Sequence, residues 1–236
     1  NLIDNVIARV WTGDVDWLRS QNEFVHTSNR NKNWFAARRR DESGRFIFFV
    51  WDAEFGFGKT HNTSRETDIN VTDVDINDSP GRPYAKLRQN AEFRLRFADH
   101  LHKYFFNGGL LTPDVNIARW SQLMSMVEAP LVPESARWGD YHFPADPFTR
   151  EDDWRPEADW VRDVFLPDRT QTVLDQFKAI DLYPDVDAPV FHLDGSPQYG
   201  GGITPGATFS MVDPNLPAGA IPSSNPQPGQ GHPHRN

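Results

Sequence analysis

The stretch Arg45-Phe46-Ile47-Phe48-Phe49-Val50-Trp51, a near-continuous apolar run that stops at Asp52-Ala53-Glu54, constrains this chain more than any other feature. A short run rich in aromatic and β-branched residues, bounded by turn signals, reads as a strand. It follows the turn signal Glu42-Ser43-Gly44, and Trp34-Phe35-Ala36-Ala37-Arg38 before that turn supplies a partner. The pair predicts a β-hairpin, and its scarcity of polar positions predicts a strand buried on both faces.

Elsewhere the period changes. Leu2, Ile3, Val6, Ile7 and Val10 fall at helical spacing and predict a short amphipathic helix that delivers the chain to Gly13-Asp14-Val15-Asp16. Residues 84–182 read as helical, because Leu87, Ala91, Leu95, Ala98, Leu101 and Phe105 recur every three or four positions. Gly108-Gly109 is expected to end that helix in a left-handed cap. Thr112-Pro113-Asp114 starts a second helix through Ile117, Trp120, Leu123 and Val127, and two more are expected over about 158–165 and 169–180. The pattern is α+β, a short hairpin followed by a mainly α-helical lobe.

From Ala188 onward the chain holds 8 of its 16 Gly and 9 of its 19 Pro, so a separate, turn-rich segment is expected there. Pro189-Val190-Phe191 and Ala207-Thr208-Phe209-Ser210-Met211-Val212 predict two strands of a small β module over 188–222, and residues 223–236 read as a disordered tail.

Charge and cysteine count narrow the function. A net charge of -9 is the wrong sign for a broad grip on a nucleic-acid backbone. Zero Cys removes disulfides, thiolate nucleophiles and Cys-ligated zinc, and leaves the redox compartment open. No run approaches the ~20 apolar residues of a membrane span. The chain opens Asn1-Leu2-Ile3-Asp4 with no Met, which suggests a cut within a larger gene product.

The candidate chemistry lies in carboxylates. Asp52 stands at the exit of the aromatic strand with Glu54 two residues on, so both project the same way if extended geometry persists. Such a pair suits Mg²⁺, which is usually held by one or two carboxylates with phosphate oxygens and water. An acidic residue at a strand end is more commonly a solvated turn residue, and Asp16, in the turn after the first helix, equally suits a capping role. Gly58-Lys59-Thr60 resembles the end of a P-loop, but position 53 is Ala where the motif needs Gly. Asp73-Val74-Asp75-Ile76-Asn77 opens like a calcium loop, but Asp78 and Tyr84 occupy the positions of the required Gly and Glu. The eight His are scattered, and Arg38-Arg39-Arg40 is a short basic run able to steer an anionic nucleotide.

The succession Leu2-Ile3-Asp4, Gly13-Asp14-Val15-Asp16-Trp17, Asn33-Trp34-Phe35-Ala36-Ala37-Arg38 and Phe49-Val50-Trp51-Asp52-Ala53-Glu54-Phe55 resembles the spore coat protein H-like (CotH) kinases. Leu87-Arg88-Gln89-Asn90, Phe106-Asn107-Gly108-Gly109 and Glu134-Ser135-Ala136-Arg137-Trp138-Gly139-Asp140 look like later helical blocks of bacterial members. The resemblance covers about residues 1–187. It implies an atypical protein-kinase-like fold that transfers phosphate from ATP to Ser or Thr of secreted or surface proteins, coat proteins included, with Mg²⁺ or Mn²⁺. It also implies that the N-terminal lobe, with its glycine-rich cover, precedes this chain. Carried over, Asp16 is the acidic residue taken as catalytic, as base or orienter, Asp52 the main metal ligand and Asn33 a nucleotide and metal ligand; Arg38, from the basic run, is the further nucleotide contact. Glu54 stands where members commonly carry a second Asp and is the further metal candidate. Asn22, in an apparent insertion from Leu18 to Asn31, rivals Asn33. The phosphoryl-transfer reading fits the chemistry, which needs a carboxylate to orient the hydroxyl and a cation against the phosphates.

The alternative is a non-catalytic surface interaction or adhesion module on the same fold, suited by abundant Trp and the acid-rich loop 66–78. A calcium-stabilised wall or matrix protein would rest on acidic density alone.

Overall fold

Helix α1 (Leu2–Thr12) runs through the hydrophobic core of the larger of two units in a computed structural model that describes residues 1–17, 33–59, 65–73, 79–141, 143–199 and 202–214. The chain divides after Tyr183, and each unit is described by itself. Val6, Ile7, Val10 and Trp11 of α1 are buried at the expected helical spacing. Burying each such side chain contributes about 1.5–3 kcal/mol, so this one stripe fixes the helix in place.

Strands β1 (Trp34–Ala37) and β2 (Ile47–Val50) form the antiparallel hairpin, with Trp34 opposite Val50 and Ala37 opposite Ile47. α1 packs against β2, and the Asn1 side chain accepts a hydrogen bond from the Phe48 backbone N–H. The expectation of burial on both faces fails. Phe35, Ile47, Phe49 and Trp51 share one face and are each about half exposed, because only two strands form this sheet and no described element covers that side. Phe35 and Trp51 meet there edge to face, with ring centroids 5.2 Å apart.

The helical lobe is α2 (Gly81–Leu87), α3 (Ala91–Phe105), α4 (Pro113–Val127), α5 (Leu131–Trp138), α6 (Arg155–Trp160) and α7 (Leu166–Lys178). The expected stripe from Leu87 to Phe105 is corrected twice. The chain breaks at Asn90, whose side chain caps α3 by accepting from the Phe93 N–H. The buried face of α3 is Phe97, Leu101 and Phe105, while Leu95 stays exposed. α4 starts after Thr112 as predicted, and α5 is an addition. The two last helices expected near 158–165 and 169–180 are one continuous helical stretch from Arg150 to Lys178. Two π-helical turns, Arg150–Trp154 and Val161–Phe165, each lie just before a proline, Pro156 and Pro167. A proline lacks the N–H and crowds the carbonyl four residues back, and a wider turn absorbs both.

The smaller unit is a sheet of order β4-β3-β5, with β3 Val190–Leu193, β4 Ser196–Pro197 and β5 Phe209–Val212. β4 joins the two strands read from the sequence. Asp194 and Gly195, both at positive φ, make the tight turn that pairs β3 with β4. Together these elements confirm the α+β class. Residues 223–236, expected as a tail, lie outside the described residues, as do Asn22 and residues 74–78 of the acidic loop. Among the described residues no helix is long and apolar enough to cross a membrane.

Candidate functional site

The acidic turn is shaped by the way α1 ends. Gly13 adopts φ +67°, its N–H bonds to the Val10 carbonyl, and the Asp14 N–H reaches back to the Arg9 carbonyl. This is the Schellman arrangement, which brings the residue after the glycine over the side chain a turn earlier. An apolar contact normally occupies that position. Here it is a buried ion pair, in which Arg9 Nη1 donates to Asp14 Oδ2.

The same guanidinium builds the rest of the site. Arg9 Nη2 donates to the carbonyl oxygens of Asn33 and Trp51, each at 2.8 Å. Those residues flank the open end of the hairpin, one entering β1 and the other leaving β2. The backbone turns sharply at both places, with Asn33 at φ 59° and Asp52 at φ 52°, conformations that non-glycine residues adopt at a cost of order 1–3 kcal/mol. Asp14 Oδ1 accepts from the Asp16 N–H at 3.2 Å. The Asn33 amide donates to Asp16 Oδ2 at 2.8 Å and to the Asp16 carbonyl at 3.2 Å. Asp16, Asn33 and the segment leading into Asp52 are thus tied through Arg9 and Asp14. Burial pushes the Asp14 carboxyl up, against the opposing pull of Arg9.

A second buried arginine holds this turn from behind. Arg169 of α7 donates to the carbonyls of Val10 (2.6 Å), Trp11 (2.8 Å) and Thr67 (3.1 Å). It thereby satisfies the carbonyls left open at the end of α1. Burial pushes its guanidinium down to about 10.

The remaining sequence candidates are placed apart. Asp52 is exposed, at the open end of the hairpin. The left-handed turn at Asp52 breaks the extended geometry on which a shared direction for Asp52 and Glu54 depended. Glu54 instead lines a cavity whose walls include none of Asp16, Asn33 and Asp52. Arg38 is exposed at the turn end of the hairpin, its guanidinium 5.8 Å from the Phe46 ring centroid, a strand length away from Asn33. The structure does not bring Arg38 to the acidic turn. Arg9 and Asp14 were missed by sequence reasoning. The available signal was a charged residue three positions after Val6, on the apolar stripe of α1, which demands a buried partner.

The donors near the hairpin base are all oxygens. Asp52 has no side-chain partner among the described residues, and Asn33, its amide N–H committed to Asp16, keeps its carbonyl oxygen. That set fits a hard divalent cation such as Mg²⁺, which takes one or two carboxylates and completes its octahedron with phosphate and water. Among the described residues no group of three or more His, Asp or Glu converges as a protein-only metal cage.

The family model described as CotH kinase protein matches residues 1–173. The chain belongs to this family. No curated protein and no solved structure matches. Membership points to a kinase-like function.

Proposed function

We propose that this CotH-family chain transfers the γ-phosphoryl of ATP to Ser or Thr hydroxyls of a secreted or surface protein. The observation that supports the reading is the hydrogen bond from the Asn33 amide to Asp16, made where Arg9 clasps both chain crossings of the hairpin base. It holds one carboxylate in a fixed orientation beside Asn33, at the base of the hairpin whose second strand leads into Asp52. In this reading Asp16 accepts the hydrogen bond of the incoming hydroxyl and takes its proton as the new O–P bond forms and the bond to the ADP oxygen breaks. Asp52 and the Asn33 side-chain oxygen would hold Mg²⁺, or Mn²⁺, which when bound neutralises charge on the phosphate oxygens. Arg9 and Asp14 position these groups and touch no reactant.

The test is ³²P transfer from Mg·ATP by the full-length protein, beside Asp16→Asn and Asp52→Asn variants shown to be folded by circular dichroism. Asp16→Asn is expected to lower kcat by roughly 10²–10⁴-fold. Asp52→Asn is expected to raise the Mg²⁺ concentration required. A folded wild type that labels no acceptor, with surface proteins and generic Ser/Thr substrates supplied, sinks the reading. One observation favours a second reading, a non-catalytic interaction module: the half-exposed apolar face of Phe35, Ile47, Phe49 and Trp51. Partner capture that survives in the Asp16→Asn/Asp52→Asn double variant and needs no Mg²⁺ would support it.

A further inference from the structure

The segment that follows Asp52 forms one wall of a cavity of about 320 Å³. Its course is dictated by close packing. Gly58, at φ +81°, lies against the Trp160 ring so tightly that a Cβ would sit 2.4 Å from it. Phe57 donates its N–H to the Thr12 carbonyl at 2.6 Å, and Glu66 donates to the Gly58 carbonyl at 3.0 Å. The chain after the hairpin is thereby fixed to both α1 and α6.

The lining is mostly apolar, with Phe57, Trp120, Met124, Trp154 and Trp160 its large members. The Trp120 indole N–H is satisfied inside the wall by the Ala158 carbonyl, at 2.9 Å. Two of the four charged residues neutralise each other. Arg65 Nη2 donates to Glu157 Oε1 at 2.6 Å while its guanidinium lies 5.8 Å from the Trp160 ring centroid. The side chains of Glu54 and Lys59 have no partner among the described residues. The cavity therefore combines an apolar body with one open acceptor and one open donor.

That combination selects its occupant. A nucleotide triphosphate needs several cationic or N–H donors, and Lys59 here shares the cavity with a free carboxylate. The volume lies at the low end for ligand cavities, ~300–1,000 Å³, which suits a single large side chain. A polypeptide supplies the rest: a peptide N–H for Glu54 and a peptide carbonyl for Lys59. Glu54 follows Asp52 by two residues, at most ~7 Å along the chain. We propose that this cavity docks the acceptor polypeptide, taking one large apolar side chain about two to four extended residues from the phosphorylated Ser or Thr. The proposal rests on the kinase reading above, and its test separates the two.

Paired synthetic peptides carrying one Ser, with Phe or Ala two, three or four residues to either side, are titrated into the full-length protein without nucleotide. Binding is read by calorimetry and by Trp fluorescence. The same peptides are then offered as substrates with Mg·ATP. At one offset the Phe peptide is expected to bind at least roughly tenfold more tightly than its Ala twin. Trp154→Ala and Met124→Ala should erase that preference, raising KM for the Phe peptide while kcat and KM for ATP hold. Lys59→Gln, which removes a charge and leaves the apolar lining intact, keeps the test decisive if an apolar-lining variant misfolds, and should weaken the Phe peptide several-fold without touching ATP use. Equal binding of Phe and Ala peptides at every offset overturns the docking pocket, even if phosphate is transferred. Phe-selective binding that the lining variants abolish, in a protein that transfers no phosphate, keeps the peptide pocket and overturns the kinase reading.

Discussion

Asp4 and Asp14 stand at opposite ends of α1 and shift in opposite directions. At Asp4, burial works to raise the carboxyl, but hydrogen bonds with His100 Nδ1 (2.7 Å) and the Tyr104 hydroxyl (2.8 Å) outweigh it and hold it below its ordinary range. At Asp14, which is fully buried, the desolvation cost exceeds the pull of Arg9, and the carboxyl rises. One end of the helix is a half-exposed tie to α3 that solvent screens. The other is a buried joint whose charge has Arg9 as its only cationic partner in the described site, and the acidic turn hangs from that joint.

The largest expected effect comes from unpairing the buried joint. Arg9→Met leaves the Asp14 carboxylate without its cation and is expected to cost about 3–5 kcal/mol in urea unfolding at pH 7, while Arg9→Met/Asp14→Leu recovers much of it. If Arg9→Met costs no more than Asp4→Asn, the contrast between the two ends is wrong. Next, Arg169→Met strips hydrogen bonds from three carbonyls, at Val10, Trp11 and Thr67, and is expected to cost roughly 3 kcal/mol in the same assay. Gly13→Ala forces a Cβ into a left-handed turn, 3.2 Å from Arg169 Nη2, for about 1–2 kcal/mol. A loss of phosphotransfer larger than the stability loss alone predicts would show that this turn carries the chemistry.

Asp4→Asn sharpens the other end and has the smallest expected effect, a few tenths of a kcal/mol for a surface-screened group. Its sign is set by linkage. The folded carboxyl lies below its ordinary value of 3.8, so its stabilisation is full well above that value and is lost as pH falls through the folded value. The difference between wild type and Asp4→Asn should therefore be constant at neutral pH and close in acid. A difference that grows on acidification would contradict the direction assigned to Asp4.

Part of this was legible in the sequence, wherever a signal is local. The stripe Val6, Ile7, Val10 makes α1, Thr112-Pro113 starts α4, and the apolar runs around Glu42-Ser43-Gly44 make the hairpin. The stripe assigned to α3 was right at Leu101 and Phe105 but wrong at Leu95 and silent on Phe97, because several apolar residues competed for the buried side and packing against α1 and α7 chose among them. The hairpin's faces were illegible for a similar reason: an apolar run states what a strand would bury, and only the neighbouring elements decide what covers it.

The candidate site divides along the same line. The sequence by itself determined the family and offered the candidates, Asp16 in the turn after α1, Asn33 before the first strand and Asp52 after the second. Tertiary structure decided which of them meet. Arg9 bonds across 24 and 42 residues of chain to Asn33 and Trp51, and Arg169 reaches across about 160 residues to the end of α1. The left-handed turn at Asp52 sends Glu54 to the cavity. Such contacts leave no periodic trace, because a buried charge is positioned by whatever distant carbonyl or carboxylate satisfies it, and the chain's own spacing does not encode which one that will be.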